Sequence, residues 1–423
     1  MKPILGDDAL HGLPGEVVRT IDPYSEADPA AVLATFLTVF GCYVGPSPRI
    51  IAGGVQTARL HTLIVGRSAK ARKGSSAFPV LQVFEEVDRD WCDLQIIGGF
   101  GSGEAVINAA DGGDPRVLVR EEEFAKILAV AARQGATITQ LLRGAWDSGK
   151  LERRLAGLTQ VVTGAHVSML GHVTVGEFLD KLAGTDVSGG TVNRQLLIAA
   201  GRSKRISRGA SLPDEEVRRL AKLTREAVDE ARHIGVMRYT ADGGALWDAM
   251  YEHLAADDPP GQLGDAIARA EPQVLRLSLT YAAADGAREI GVPHLSAAWA
   301  VWEYARATAA SIFPSRATSG DEQQLLEALV KAGDAGMTAD ERRNVFSRHR
   351  TSDQLARMLD TLVGLGCIRV GKVPTDGRPI ELAVATAHGA ESAGSAERPV
   401  SPLPTVKSLL QQCAESARKA PER

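Results

Sequence analysis

The sequence is poor in cysteine, in aromatic residues and in long apolar runs. Its four cysteines, Cys42, Cys92, Cys367 and Cys413, lie too far apart for metal-ligand spacing or a disulfide framework. Aromatic residues make up only 5% of the chain. No stretch reaches membrane-spanning length, and the N-terminus lacks a charged region followed by an apolar run. We therefore expect a cytoplasmic protein with no membrane partner.

A strong charge of one sign is also missing. The net charge is −4, so any contact with nucleic acid must use a local basic patch. Hydrophobic residues make up 44% and charged residues 24%, a normal balance for a soluble globular protein. Because 423 residues are too many for one ordinary core, we expect at least two domains.

The most informative stretch begins with the apolar run from Leu63 to Val65. A glycine-rich basic loop follows over residues 66–76, and then a helical pattern. A strand, glycine loop and helix form a phosphate cradle, in which backbone N–H groups, a lysine and a hydroxyl bind phosphate and Mg²⁺. The order Lys73-Gly74-Ser75 departs from the usual one, and a solvated basic loop is the alternative. The predicted nucleotide-binding residues are Gly66, Lys70, Arg72, Lys73, Gly74, Ser75 and Ser76, with Ser75 also on the metal.

Acidic residues follow two further predicted strands. Residues 116–123 form a β-rich run that ends in three acids, of which Glu121 or Glu122 would order the water bound to Mg²⁺. Residues 94–100 are predicted to form another strand, which leads to Glu104. If that strand neighbours the first one, Glu104 could polarise an attacking water. The alternative for Glu104 is an acid favoured by a helix N-terminus.

Taken together, these residues resemble the RecA-like P-loop ATPases of actinobacterial phages, plasmids and integrated elements. The resemblance spans roughly residues 8–385 and includes the reversed Lys-Gly order. Its motifs are Val65-Gly66, residues 71–75, 101–104, 121–124, 142–147, 166–174, Asn193-Arg194 and 376–379. The resemblance implies ATP and Mg²⁺ as cofactors, assembly as a hexameric ring, DNA as a partner, and a separate primase or initiator. Members of the family usually have Asn-Arg-Phe where this chain has Asn193-Arg194-Gln195.

The resemblance also implies roles for two further side chains. His172 lies where RecA-like ATPases place a polar sensor of the γ-phosphate, and a histidine hydrogen-bonded at a strand end is the alternative. Arg194 is the first candidate for an arginine supplied to a neighbouring subunit, with Arg202 and Arg205 after it. The basic cluster that contains them, Arg202, Lys204, Arg205 and Arg208, could instead follow a DNA backbone or be a solvated loop.

The segments around this region complete a predicted α/β architecture with a mostly parallel sheet. Residues 1–60 are expected to form an irregular arm, a helix that begins at Asp28-Pro29, and the first strands, including residues 50–52. Residues 61–212 form the ATPase core, with residues 161–163 in its sheet. Residues 213–313 form a helical lid packed on the sheet domain, with Trp299 and Trp302 in the core. Within the lid, Arg276 is expected on a solvated helix face or at the nucleotide. Residues 387–423 are expected to be mostly disordered, apart from a short helix over residues 406–419.

Residues 321–386 are predicted to form a winged helix–turn–helix of three helices and a β-hairpin. Basic residues crowd its turn and its wing, in positions that suit phosphate contacts on duplex DNA. The alternative is a winged helix that serves protein contacts. The predicted DNA-binding residues are Arg342, Arg343, Arg348, Arg350, Arg357 and Arg378.

The sequence as a whole predicts a DNA-associated ATPase of a mobile element, either a replicative helicase-like motor or a loader. One alternative is a non-hydrolysing regulator that binds nucleotide and DNA. Another is a phage-defence ATPase that couples its nucleotide state to a partner.

Overall fold

The structure is a computed structural model. It describes residues 2–66, 76–98, 103–131, 138–155, 158–182, 190–207, 211–259, 261–313, 320–364, 367–373, 380–386 and 402–419. The chain divides into two compact units. The first contains Met1–Asp258, Asp265–Ile312 and Leu403–Arg423, and the second contains Pro259–Gly264 and Phe313–Pro402.

A five-stranded, entirely parallel sheet forms the centre of the first unit, which confirms the predicted α/β class. The strands of this unit are β1 (Arg49–Ile51), β2 (Val55–Thr57), β3 (His61–Gly66), β4 (Ile96–Ile97), β5 (Arg116–Glu121), β6 (Leu151–Leu155), β7 (Leu158–Val162), β8 (His166–Thr174), β9 (Leu196–Ala200), β10 (Arg238–Tyr239) and β11 (Glu289–Ile290). The order in the main sheet is β4-β5-β8-β3-β9. The strand that precedes the glycine loop, β3, therefore lies between β8 and β9.

Helices cover this sheet and fill the rest of the unit. They are α1 (Gly12–Ile21), α2 (Pro29–Val44), α3 (Ala77–Val87), α4 (Arg89–Gln95), α5 (Glu104–Asp111), α6 (Phe124–Ala131), α7 (Ile138–Asp147), α8 (Val175–Lys181), α9 (Asp214–Ala231), α10 (Ala241–Ala256), α11 (Gln262–Ile267), α12 (Ala270–Ala284) and α13 (Val292–Ile312). Helix α11 begins in the short segment that belongs to the second unit.

Both faces of the sheet are covered, as a buried parallel sheet requires. On β8, His166 Nε2 lies 2.8 Å from the carbonyl oxygen of Gly41 in α2. A Cβ on Gly171 would meet the ring of Phe124 in α6. Because alternate residues of a strand point to opposite faces, α2 and α6 lie on opposite sides of the sheet.

Helix α2 is buried along almost its whole length. It begins as predicted, with Asp28 as N-cap accepting a hydrogen bond from Ala30 N and with Pro29 in the first turn. Its two threonines bond to the carbonyl four residues earlier, so their hydroxyls cost little in an apolar interior. The helix ends at Gly45, whose φ of 87° suits glycine. A helix that is apolar on all sides is expected in a core.

Two predicted strands differ from the structure. Residues 161–163 were expected in the main sheet, but β7 instead pairs with β6 in a separate antiparallel hairpin. The strand predicted over 94–100 is only Ile96–Ile97, because Asp88 caps a helix that continues to Gln95. The strand predicted at residues 50–52 is present as β1, which forms a hairpin with β2.

The helical region 213–313 packs into the same compact unit as the sheet. Helix α13 covers the edge strand β9, since Ala199 N donates to Thr308 Oγ1 at 3.2 Å and Tyr304 Oη donates to Ala199 O at 2.7 Å. The predicted core positions Trp299 and Trp302 are buried in α13. These helices pack on the sheet domain, and α13 satisfies backbone groups of its edge strand.

Both ends of the first unit contain helices, and the one predicted over Val406–Lys419 is present. The arm within residues 1–60 contains short 3₁₀ helices, Asp7–Leu10 and Asp22–Tyr24, on either side of α1, whose apolar side chains are buried. Within the predicted tail, residues 387–401 lie outside the described residues. A final helix, Val406–Lys419, packs on α10, where Leu409 is fully buried. The indole N–H of Trp299 donates to Pro404 O at 3.1 Å.

The second unit contains three helices and a three-stranded antiparallel sheet. The helices are α14 (Gly320–Ala332), α15 (Ala339–Val345) and α16 (Ser352–Gly364), with a 3₁₀ turn at Gly333–Ala335. The strands are β12 (Met337–Thr338), β13 (Ile368–Val373) and β14 (Ile380–Ala385), in the order β12-β14-β13. Leucines of α14 and α16 form its core with Phe346, Cys367 and Ile368. The predicted helices and strands are therefore present, and β12 is an additional strand.

Candidate functional site

The carboxyl edge of the parallel sheet carries Gly66 and Glu121 of the predicted site. Gly66 ends β3, where it is paired in register with Thr174 of β8 and Ala200 of β9. The description resumes at Ser76, just before α3. The loop residues Lys70, Arg72, Lys73, Gly74 and Ser75 lie outside the described residues. Ligands of open α/β sheets bind outside the carboxyl ends of the strands, which is where this loop begins.

Ser76 is fully buried at the start of α3. Its hydroxyl lies 3.5 Å from Thr35 Oγ1 of α2. A hydroxyl enclosed between two helices has no open surface towards a ligand. Of the two predicted serines, Ser75 is therefore the better candidate for a metal contact.

The three acids after β5 occupy different environments. Glu121 is 6% exposed, and its Oε1 accepts a hydrogen bond from Glu123 N at 3.0 Å. Glu122 is exposed and paired with Arg120, and Glu123 is paired with Lys126. Only one strand, β8, separates Glu121 from β3, a lateral distance of about 10 Å. The structure thus singles out Glu121 as the acid held at the strand tip.

The sequence placed Glu104 beside the phosphate loop on the condition that its strand neighbours β3. That condition is not met, because β4 is the edge strand and lies three positions from β3, about 14 Å. Glu104 is the first residue of α5 and forms an ion pair with Arg153 of the β6–β7 hairpin. Its position therefore matches the alternative, an acid favoured by the helix N-terminus.

His172 is buried on β8, directly opposite Ile64 of β3. It precedes Thr174, the N-cap of α8, whose side chain forms a capping box with Glu177. Its place on the strand adjacent to β3, two residues before the carboxyl edge, agrees with the position expected of a polar sensor.

Arg194 lies at the amino-terminal ends of the strands, two residues before β9 begins. Its guanidinium donates to both carboxylate oxygens of Asp147, at 3.0 and 2.8 Å, and to Gly190 O at 2.5 Å. The side chain is 9% exposed, so it cannot extend to a neighbouring subunit without breaking these bonds. The prediction of Arg194 as the trans-acting arginine is not supported by this geometry.

Two other arginines follow β9 at the carboxyl edge. Arg202 is paired with Glu26, whereas the exposed Arg205 has no ion-pair partner among the described residues. Of Arg202 and Arg205, the two other candidates for an arginine supplied to a neighbouring subunit, Arg205 is therefore the more accessible.

The predicted DNA-binding arginines of the second unit also separate into groups. Arg342 is buried and donates to Met337 O at 2.9 Å and to Glu381 Oε1 at 2.7 Å, so its guanidinium is engaged inside the second unit. Arg350 is paired with Asp321, and Arg343 with Asp340. Arg348 and Arg357 are exposed on the turn and on α16. Arg378 lies outside the described residues.

The sequence did not predict that two arginines, Arg276 and Arg59, are buried. Arg276 is fully buried, stacks 3.5 Å from the centroid of the Trp146 ring and donates to Trp146 O at 2.9 Å. Arg59 donates to Ala145 O at 3.0 Å, so both guanidiniums bind carbonyls at the C-terminal end of α7. Arg276 was predicted on a solvated face or at the nucleotide. The apolar residues around it within α12 were the sequence signal for burial.

The site's chemistry follows from the described edge. A glycine at the end of a central strand and a buried carboxylate one strand away suit a phosphate and a hydrated divalent cation. Models of known protein families give no match to this chain, and no similar sequence is found among curated proteins. Within the part of the chain that is described, no helix is both long and apolar enough to cross a bilayer.

Proposed function

We propose that the chain is a RecA-like, Mg²⁺-dependent ATP hydrolase that acts on DNA as a motor or loader. One observation carries this proposal. Gly66 and the buried Glu121 end two strands at the same edge of the parallel sheet, and only β8 lies between those strands. The basic, glycine-rich sequence of residues 67–75 begins at that edge. A sheet of five parallel strands is compatible with a RecA-like core.

In this proposal, Lys73 and the loop N–H groups hold the β- and γ-phosphates, and Ser75 contacts the metal. Glu121, or Glu122 beside it, would order water at the hydrated metal. Mg²⁺ would supply neutralisation of the developing phosphate charge. Glu104 can activate the attacking water only after it leaves Arg153, for example when nucleotide or DNA binds. His172 remains the proposed sensor.

The ATPase rates of two purified variants, Lys73→Ala and Glu121→Gln, test the nucleotide site. Lys222→Ala, on the exposed face of α9, is the control. We expect both site variants to lose at least about 100-fold in kcat, because each removes transition-state electrostatics. The control should match the wild type. Unchanged turnover in Lys73→Ala would overturn the assignment of the loop.

The second unit supports the DNA part of the proposal as a candidate winged helix. Arg348 and Arg357 are exposed, whereas Arg342 is structural. We expect the double variant Arg348→Gln/Arg357→Gln to bind duplex DNA more weakly, with a salt slope that is smaller by about one for each phosphate-binding arginine replaced. Fluorescence anisotropy at several salt concentrations measures both quantities. An exposed double variant elsewhere, Arg218→Gln/Lys222→Gln, should keep the wild-type slope.

Ring assembly is proposed with Arg205 as the arginine supplied in trans. Hydrolysis should then rise more steeply than linearly with protein concentration, because the site is complete only in an oligomer. Mixing Arg205→Ala with Lys73→Ala subunits should restore part of the activity that each variant lacks. A rate strictly proportional to concentration, with no complementation, would reject the ring.

One observation favours a second function, a non-hydrolysing regulator that binds nucleotide and DNA. The carboxylate proposed to activate water, Glu104, follows a strand that does not neighbour β3, and it is engaged with Arg153. Tight ATP binding without turnover, with or without DNA, would identify this alternative.

A further inference from the structure

A cleft of about 860 Å³ opens at the amino-terminal edge of the parallel sheet. It is lined by residues that precede β3, β5 and β8 or begin them, together with the turn after α7. Strand β3 has six residues, so this edge lies about 20 Å from the Gly66 loop. A cleft of this size matches small-molecule sites and is distinct from the proposed nucleotide site.

The charge of the cleft is strongly positive. Four arginines line it, Arg49, Arg59, Arg116 and Arg232, against one acid, Asp147. Asp147 is already paired with Arg194, and Arg116 is paired with Asp114. The other three arginines have no carboxylate partner among the described residues. They donate to backbone carbonyls instead, Arg49 to Ser47 O, Arg59 to Ala145 O and Arg232 to Tyr43 O.

Carbonyl partners orient a guanidinium without cancelling its charge. Each guanidinium has five N–H donors, and its flat fork matches phosphate or carboxylate oxygens. Burial lowers the pKa of Arg59 to about 10, which leaves it protonated at neutral pH. The cleft therefore holds fixed, pre-oriented positive charge.

Three buried polar atoms of the lining lack a hydrogen-bond partner in the described structure. They are Arg59 Nε, Thr57 Oγ1 and His166 Nδ1, on side chains that are each at least 96% buried. Unsatisfied buried groups cost about 1–3 kcal/mol each, so each of the three calls for a partner. A ligand in the cleft is one source of such partners.

The hydrogen-bond roles of these atoms define the ligand further. Arg59 Nε can only donate, so it requires an acceptor such as an anionic oxygen. His166 Nε2 faces the carbonyl of Gly41 and must donate to it, so in the neutral ring Nδ1 is an acceptor. Thr57 Oγ1 can take either role. The set calls for an oxyanion next to a hydroxyl.

We propose that this cleft binds a small hydroxylated oxyanion, a phosphate ester or a hydroxycarboxylate, at a site separate from the nucleotide. Arg49 and Arg232 contact the anionic group from the rim. Arg59 and Thr57 bind it at the base, and His166 accepts a hydrogen bond from the hydroxyl. Because the cleft joins residues at the start of β3, β5 and β8, a bound ligand would stabilise the sheet from the edge opposite the phosphate loop.

Calorimetric titration of the full chain tests the site with ribose 5-phosphate, malate, succinate and inorganic phosphate. We expect a hydroxylated probe to bind with Kd below about 1 mM. Malate against succinate isolates the hydroxyl, and ribose 5-phosphate against malate separates the phosphate source from the carboxylate source. Arg49→Gln and Thr57→Val should each weaken the best probe at least tenfold. Thr57→Val removes an unpartnered hydroxyl, so it should fold normally.

Two control variants separate this site from general charge effects and from the nucleotide site. Arg218→Gln, on the exposed face of α9, and Lys73→Ala should both bind the probe as the wild type does. The proposal is overturned if none of the four probes binds, or if the best probe binds Arg49→Gln and Thr57→Val normally. It is also overturned if Lys73→Ala abolishes binding, because the probe would then occupy the phosphate loop.

Discussion

Single residues inside the first unit carry charge chemistry that the surface does not reveal. His61 and His166 begin two neighbouring strands and are completely buried. Burial, together with nearby Arg276 and Arg59, lowers the pKa of each imidazole to about 3. Both histidines are therefore neutral in the folded protein at every pH at which the protein is normally handled.

These two histidines predict a pH dependence of stability. Below about pH 6.5 the unfolded chain binds protons at both imidazoles while the folded chain does not, down to about pH 3. The free energy of unfolding should therefore fall as pH falls through this window, by up to about 1.4 kcal/mol per pH unit for each histidine. Urea unfolding from pH 7 to pH 4 measures the slope.

The variant His61→Gln isolates one of the two contributions. Its slope should be smaller than that of the wild type, whereas the exposed His233→Gln should leave the slope unchanged. An identical slope in His61→Gln and wild type would contradict the assignment of a buried neutral imidazole.

One glycine of α2 is required by close backbone contact. A Cβ on Gly41 would lie 2.1 Å from Ala58 O, so the helix and the chain before β3 would have to separate. We expect Gly41→Ala to destabilise the first unit by about 1–3 kcal/mol, despite the better helix propensity of alanine. Gly244→Ala in α10 is the matched control, because its nearest atom lies at 3.7 Å and its expected effect is neutral or stabilising. Thermal unfolding of both variants checks the sign.

At the scale of elements, the edge of the sheet explains why α13 belongs to the core. Tyr304 and Thr308 satisfy the outward backbone groups of Ala199. Without them, β9 would present an open edge, which invites association with other chains. Helix α13 is thus part of the sheet domain in a physical sense, through hydrogen bonds as well as apolar contacts.

Removing this cover should have a measurable cost. Tyr304→Phe and Thr308→Val each leave one half-buried backbone group of Ala199 without its partner, so each should cost about 1 kcal/mol. The double variant should be less than additive, because both side chains bind the backbone of the same residue, Ala199. Chemical denaturation gives the energies, and Tyr251→Phe on an exposed surface serves as control. Full additivity would contradict the coupling.

At the scale of the whole molecule, the two units have separate cores, which predicts separable unfolding. Thr338 caps α15 in a capping box with Glu341. Thr338→Ala should lower the stability of the second unit by about 1 kcal/mol and leave the first unchanged. Hydrogen exchange resolved by mass spectrometry reports on each unit. Faster exchange in both units would show that they unfold as one.

Local signals in the sequence were sufficient for many elements and for part of the site. Asp28-Pro29 predicted the start of α2, and Thr338 predicted the cap of α15, because caps depend on neighbours in the chain. Gly66 and Glu121 were predicted at strand tips, where the structure has them. Their role in nucleotide binding stays a prediction.

The misses share one physical cause, which is that pairing between distant segments is not written in local periodicity. Residues 161–163 were placed in the main sheet from their apolar run, but β7 pairs with β6 instead. Glu104 was placed by assuming a neighbour for β4, and Arg194 by leaving Asp147 out of account. Arg276 has a charge that predicts exposure, yet its surroundings in three dimensions supply carbonyls and an aromatic face.

The final helix, Val406–Lys419, has a consequence for how the protein is made. It belongs to the first unit, but a ribosome produces it after the second unit. Between Ile312 and Leu403 the nascent chain grows for on the order of ten seconds at ordinary elongation rates. During that interval the indole of Trp299 lacks its acceptor, and the surface of α10 that receives Leu409 stays exposed to water. The first unit therefore matures only after the second has left the exit tunnel, which makes the newborn chain the form most in need of a chaperone.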